Sequence, residues 1–141
     1  MRFVLDANLV GDWFLPGQQS ATTNAVFDTY RASTIQFVAP ETLAVEFAHA
    51  LGKQLRRKHL TLDEARETWT DFCALPIEIR PIGDLVGAAF RLATDHNAVV
   101  YDALYVALAQ AEGVPVLTSD VRMRNAFLAL DVITLVGDLS L

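Results

Sequence analysis

The stretch "RFVLDANLVGDWF", residues 2–14, changes its hydrophobic period half-way along. "RFVLD" (2–6) is a short apolar run, as in a strand buried on both faces, and a helical pattern takes over around residues 8 to 14. A strand passing straight into a helix opens a βαβ unit, and the rest of the chain repeats the alternation. "IQFVA" (35–39), "IEIRP" (77–81), "VPVLTS" (114–119) and "VITLV" (132–136) read as four further strands. Ser20 caps a helix to about residue 32. Pro40 suits the first turn of a helix to about His59, with Leu43, Phe47, Leu51 and Leu55 along one stripe. Thr61 and Glu64 have capping-box spacing ahead of a helix to about Ala74. A helix over 84–95 is broken by "HNA" (96–98), with Asn97 left-handed; another over 101–112 is ended by Gly113, and a last one covers 121–129. Strands alternating with helices imply right-handed crossovers and a sheet covered on both faces. The expected fold is α/β, a three-layer α/β/α sandwich on a central, mostly parallel five-stranded sheet, with residues 1–141 as one domain.

Composition supports that fold and narrows the function. A chain of 141 residues that is 52% hydrophobic can bury a sizeable core and is too apolar for disorder. No apolar run approaches the roughly 18 residues needed to cross a bilayer. Asp6 and Asp12 interrupt the only run that resembles a secretory signal. The single cysteine, Cys73, excludes an intrachain disulfide and suits a reducing compartment, so a cytoplasmic location off the membrane is expected. A net charge of −6 disfavours simple electrostatic wrapping of nucleic acid. The basic residues are nevertheless clustered: four of eleven lie in "KQLRRKH" (53–59), and Arg122 and Arg124 form a second pair.

The chemistry lies in the acids. In open parallel sheets ligands bind beyond the carboxyl ends of the strands, near the point where strand order reverses. Asp6 ends the first strand and Asp120 follows the fourth, so two carboxylates meet there if those strands are neighbours. Glu46, in "LAVEFAHAL", lies two turns into the helix after the second strand. Asp102 is the one charge in "VVYDALYVALAQ" (99–110), where Tyr105, Val106 and Ala109 share its helical face. Each acid alone has a plainer reading: Asp6 a turn residue, Asp102 and Asp120 helix caps, Glu46 a solvated flank. Together at one end of one sheet they would repel one another unless a hard cation such as Mg²⁺ or Mn²⁺ neutralised them. Thr118 and Ser119 are placed to orient the carboxylates by hydrogen bonding. His49, His59, His96 and Cys73 show no zinc spacing, and no phosphate-cradling glycine motif occurs. The basic run is the solvated end of a helix or a nucleic-acid contact through Arg56 and Arg57. Trp13, Phe14, Trp69 and Phe72 read as core or interface packing.

In order and spacing, "VLDANL", "AVEFAHAL", "VVYDALYVALA" and "VLTSDVRM" resemble the PIN-domain family, and within it the VapC-type toxins of toxin–antitoxin pairs, over essentially the whole chain. The resemblance implies a metal-dependent ribonuclease with Asp6, Glu46, Asp102 and Asp120 as its acidic quartet and Asn8 and Thr118 as polar companions. It implies Mg²⁺ or Mn²⁺ as cofactor, an RNA substrate, a cognate VapB-like antitoxin that holds the site inactive, and a homodimer. Arg56, Arg57, Arg122 and Arg124 are then expected to hold the RNA backbone. One departure is His49, where many relatives carry Asn; it puts a titratable ring in a position of supporting hydrogen bonds. Two alternatives differ in class. A non-catalytic PIN-like binding module would be expected to lose acids. A haloacid-dehalogenase-type phosphatase needs an aspartate where Asn8 stands, and a lysine where this chain has only Lys53 and Lys58.

Overall fold

The computed structural model describes residues 1–141. Strands β1 (Arg2–Leu5), β2 (Gln36–Pro40), β3 (Glu78–Arg80), β4 (Val116–Thr118) and β5 (Ile133–Leu135) form one sheet in the order β3-β2-β1-β4-β5. Every neighbouring pair is parallel. The helices are α1 (Ala7–Phe14), α2 (Ala21–Arg31), α3 (Thr42–Arg56), α4 (Leu62–Cys73), α5 (Val86–His96), α6 (Val100–Glu112) and α7 (Val121–Ala126). Right-handed crossovers put α1–α4 on one face and α5–α7 on the other, giving three layers. The packing agrees: α1 touches α2 and α3, α3 touches α4, and α5 lies along α6.

Short strands buried on both faces explain the apolar runs: Val4, Leu5, Val38, Ala39, Val116 and Leu117 are fully buried. Above β2, Trp13, Phe27, Tyr30 and Phe37 pack as an aromatic cluster, and the Trp13 indole N–H donates to the Thr23 carbonyl at 3.0 Å. Trp69 sits half-exposed over Phe47 and Phe72. Helix α6 is buried from Ala103 through Ala109. Its Val99 N-cap offers no capping side chain, so burial holds it, at roughly 1.5–3 kcal/mol for each large apolar side chain. Ser20 caps α2, Thr61 closes a capping box on α4, Asn97 is left-handed and Gly113 ends α6, as the sequence predicts; Ser20 also closes a box with Thr23, and Gly113 too is left-handed.

Three local expectations are corrected. Pro40 is the last residue of β2, opposite Arg80, rather than the first turn of a helix. A residue without an N–H fits there because the next ladder bond comes from the Glu41 N–H to the Arg80 carbonyl. Helix α3 stops at Arg56, short of His59, because Lys58 turns left-handed and the His59 N–H bonds back to the Gln54 carbonyl. Helix α7 ends at Ala126, and the predicted remainder is a separate 3₁₀ turn, Leu128–Leu130.

The topology positions the site. β1, β2 and β3 step outward in one direction; the α5–α6 connection then carries the chain back to β4, on the other side of β1. Strand order therefore reverses between β1 and β4, where Leu5 pairs with Leu117, and both strands point the residues that follow them into the same crevice. At the opposite end, Arg2 binds Glu78 (2.7 Å) and Glu112 (2.9 Å), and Arg80 binds Glu112 (2.7 Å), tying β1 and β3 to the end of α6.

Candidate active site

Asp6 leaves β1 and Asp120 follows β4, so the adjacency of these strands brings the two acids to one crevice. Asp6 is only 3% exposed. The Thr118 hydroxyl donates to its Oδ2 at 2.6 Å and accepts the Asp120 backbone N–H at 3.0 Å, coupling the two strand ends through one side chain. Burial pushes the Asp6 carboxyl up to about 6; the Thr118 bond opposes this, and repulsion from Asp102 and Asp120 adds to it. The Asp120 carboxylate accepts the Asn8 amide at 3.1 Å and the Met123 backbone N–H at 3.1 Å. Its expected alternative as a cap for the next helix is thus realised together with its place in the cluster.

Glu46 and Asp102 enter from opposite layers, on α3 and α6. Burial raises Glu46 to about 7, against a hydrogen bond from the Tyr105 hydroxyl at 3.1 Å; Asp6 and Asp102 repel it further. The Thr42 hydroxyl, one turn before Glu46 and buried without a close hydrogen-bond partner, faces the same carboxylate. Asp102 sits half-buried in the first turn of α6, where it caps nothing. Its carboxyl is raised by burial, then by Asp120, with Arg122 opposing. The four acids therefore feel one another electrostatically, and the only protein cation at them is the rim residue Arg122, 4.0 Å from Asp120 and largely in solvent.

The residues fit a hard divalent cation in donor chemistry. They offer carboxylate oxygens alone, burial drives Asp6, Glu46 and Asp102 toward protonation, and no internal lysine or arginine neutralises them. Asp102 accepts no hydrogen bond from the protein, and Asp6 and Glu46 each keep one oxygen off their side-chain donors. Asp6, Glu46 and Asp120 are turned to protein donors, however, and no three acidic, histidine or cysteine groups form a ready-made cage.

Other predicted residues are distributed unequally. Asn8 and Thr118 hold the acids directly, whereas Ser119 bonds to none of the four and lies instead toward Asp12, a fifth acid one turn along α1 from Asn8, where it opposes the upward push of burial on that carboxyl. His49 is exposed and makes none of the hydrogen bonds that hold the acids; it lines a recess beside Glu46. Arg122 shares a hollow with Asp102, while Arg124 turns to Asn125 and a separate hollow with Asp131 and Asp138. Arg56 and Arg57 are exposed at the far end of α3, about 15 Å of helix from Glu46. The lysines a phosphatase would need, Lys53 and Lys58, are exposed on the same distal half. Tyr105, Thr42 and Asp12 escaped the sequence reading. Each had a signal, a polar atom one helical turn from a selected residue, yet Tyr105 looked like core.

A PIN domain family model matches residues 3–127. Ribonuclease VapC3 of Pyrobaculum aerophilum is 34% identical over 135 residues, covering 92% of this chain and 98% of that protein. Ribonuclease VapC12 of Mycobacterium tuberculosis is 31% identical over 123 residues, covering 87% and 90%. Among solved structures, a toxin–antitoxin complex from Klebsiella pneumoniae superposes with a TM-score of 0.63 at 13% identity, covering 97% of this chain and 99% of that one. VapBC2 from Rickettsia felis, bound to a DNA fragment from its promoter, superposes with a TM-score of 0.64 at 13% identity, covering 96% and 97%. At such identity the structural likeness concerns the fold.

Proposed function

The chain belongs to the PIN domain family, and on that premise we propose that it is a VapC-type toxin, an endoribonuclease that hydrolyses RNA phosphodiesters with Mg²⁺ or Mn²⁺. The observation that carries this reading is Asp6, an acid buried at the strand-order reversal beside three others with no internal cation to balance it. Asp6, Asp102 and Asp120 are the proposed metal ligands, and Glu46 joins a second ion or positions the attacking water. A bound divalent cation supplies positive charge that makes that water more acidic and offsets charge on the leaving oxygen. Thr118, Asn8 and Tyr105 fix the acids so that little reorganisation accompanies the reaction. Arg122, which shares a hollow with Asp102, is the proposed contact to a phosphate near the cleaved bond, and Arg56, Arg57 and Arg124 the proposed contacts to flanking strand.

The relatives' names and the toxin–antitoxin complexes support a VapB-like antitoxin as the partner that restrains this activity. A homodimer belongs to the same reading, and the exposed Val86 and Phe90 of α5 give it an apolar face to bury. No helix is long and apolar enough to cross a membrane; a cytoplasmic location belongs to the proposed action on cellular RNA. Protein freed of any partner should cleave RNA in Mg²⁺ or Mn²⁺ and stop on addition of EDTA. Cleavage that persists in EDTA, or in both Asp6→Asn and Asp102→Asn, would refute the assignment.

A further inference from the structure

A recess of about 550 Å³ opens directly beside the acids, between the start of α1, the middle of α3 and the start of α6. Glu46, half-buried, forms its wall; the exposed Asn8, Val45, His49 and Tyr101 form its rim. Two rim side chains are apolar or aromatic and yet left in solvent, Val45 at 70% and Tyr101 at 62% exposure. The two rings of the rim, Tyr101 and His49, are tied to the acids by position. Tyr101 precedes Asp102 on the rigid, buried α6, and His49 follows Glu46 by one turn of α3.

The lining says what the recess can hold. It contains no arginine or lysine, and Glu46 on its wall repels a phosphate, so the sugar–phosphate chain is disfavoured there. A dry protein contact is disfavoured too, because the His49 ring and the oxygens of Asn8 and Glu46 not already bonded within the site would be covered without partners. A neutral, flat group with a π-face and polar edges satisfies both conditions: it stacks on an aromatic ring and leaves hydrogen-bonding groups for its rim. A mainly apolar groove does exist elsewhere, between α3 and α4 against Leu51, Leu55 and Trp69 with Arg66 at its side, and it shares none of the acids.

Building on the ribonuclease reading above, we propose that this recess is a nucleobase subsite, in which an unpaired base next to the cleaved phosphodiester stacks on Tyr101 between α3 and α6. A base can enter only if it is free of a duplex partner, so the substrate class is single-stranded RNA or a loop. Tyr101 is a substrate-binding residue, and its effect falls on binding.

The test uses short single-stranded oligoribonucleotides, each with one abasic position, cleaved in Mg²⁺ by the full-length wild type and Tyr101→Ala, Tyr101→Phe and Tyr101→Trp. One abasic position beside the cut should raise KM about 10-fold or more, the scale of losing one base–aromatic stack, with kcat little changed. Tyr101→Ala should raise KM equally on the intact oligonucleotide and add nothing on that abasic one. Tyr101→Phe and Tyr101→Trp should retain wild-type KM. A 2-aminopurine at the same position should be quenched on binding by wild type and by Tyr101→Phe but not by Tyr101→Ala. If wild type cleaves and Tyr101→Ala matches it in KM and quenching, the subsite is refuted while the ribonuclease reading stands. Loss of antitoxin binding or of self-association in Tyr101→Ala, with RNA kinetics unchanged, would make the recess a protein contact and equally overturn the proposal. A wild type that cleaves no RNA in Mg²⁺ or Mn²⁺ would overturn both.

Discussion

Replacing Asp6 by Asn should stabilise the metal-free protein at neutral and alkaline pH while destroying its response to metal. Asp6 is buried, and its carboxyl is pushed up from an ordinary 3.8 to about 6, chiefly by burial. The folded state therefore binds this proton more tightly than the unfolded chain. The associated stability is fully present below about pH 4 and is lost as pH rises through about 6. Two pH units at 1.36 kcal/mol each make the loss about 3 kcal/mol in full, of which roughly 2 kcal/mol falls between pH 4.5 and 8. Asparagine keeps an oxygen for the Thr118 hydroxyl, 2.6 Å away in the wild type, and never ionises. Urea unfolding in EDTA of both proteins at pH 4.5 and 8 gives the comparison directly, because titrating groups remote from Asp6 cancel and the relief of Glu46, which Asp6 repels, acts in the same direction. The stability of Asp6→Asn relative to wild type should improve by roughly 2 kcal/mol between the two pH values, near 5 °C in melting temperature. Adding Mg²⁺ at pH 8 should stabilise wild type, by about 2.7 kcal/mol at a hundred times its Kd, and leave Asp6→Asn unmoved. A difference that does not change with pH, or an equal gain from Mg²⁺ in both proteins, would refute the reasoning.

Tyr105→Phe removes the donor that opposes the rise of Glu46 toward about 7, so the acidic limb of the cleavage profile should move to higher pH. At pH 7 activity should fall roughly 10- to 100-fold, and superimposable pH–rate curves would exclude the role. Thr118→Val keeps the shape but leaves Asp6 without its side-chain donor and the Asp120 N–H without its acceptor. It should cost roughly 1–3 kcal/mol in urea unfolding. Arg122→Ala should weaken RNA binding and lower the salt dependence by about one phosphate contact, while Arg56→Ala leaves kcat unchanged; anisotropy titrations across salt would show it. Thr61→Ala breaks the capping box of α4, so about 1 kcal/mol of thermal stability should be lost with cleavage untouched.

Much of this protein is local and so legible in its residues alone. Strand periodicity, the Ser20 and Thr61 caps and the left-handed stops at Asn97 and Gly113 depend on groups within a few residues of one another. The placement of Asp6 and Asp120 past strand ends was legible as well, because parallel sheets gather ligands at that edge. The left-handed Lys58 was not: a lysine there carries no signal, and the end of α3 is set by a backbone bond closed only once the turn has formed. His49, which the resemblance sets at a position of supporting hydrogen bonds beside Glu46, lines the recess there.

Composition and pattern by themselves determined an α/β sheet with acids past its strand ends. Only the tertiary structure put β4 beside β1, joined Thr118 to Asp6 across 112 residues, and swung Tyr105 from one layer to Glu46 in the other. The physical reason is one of range. Helical and strand preferences act over a turn or a pleat, whereas the meeting of four like charges is imposed by the burial of the strands and helices that carry them.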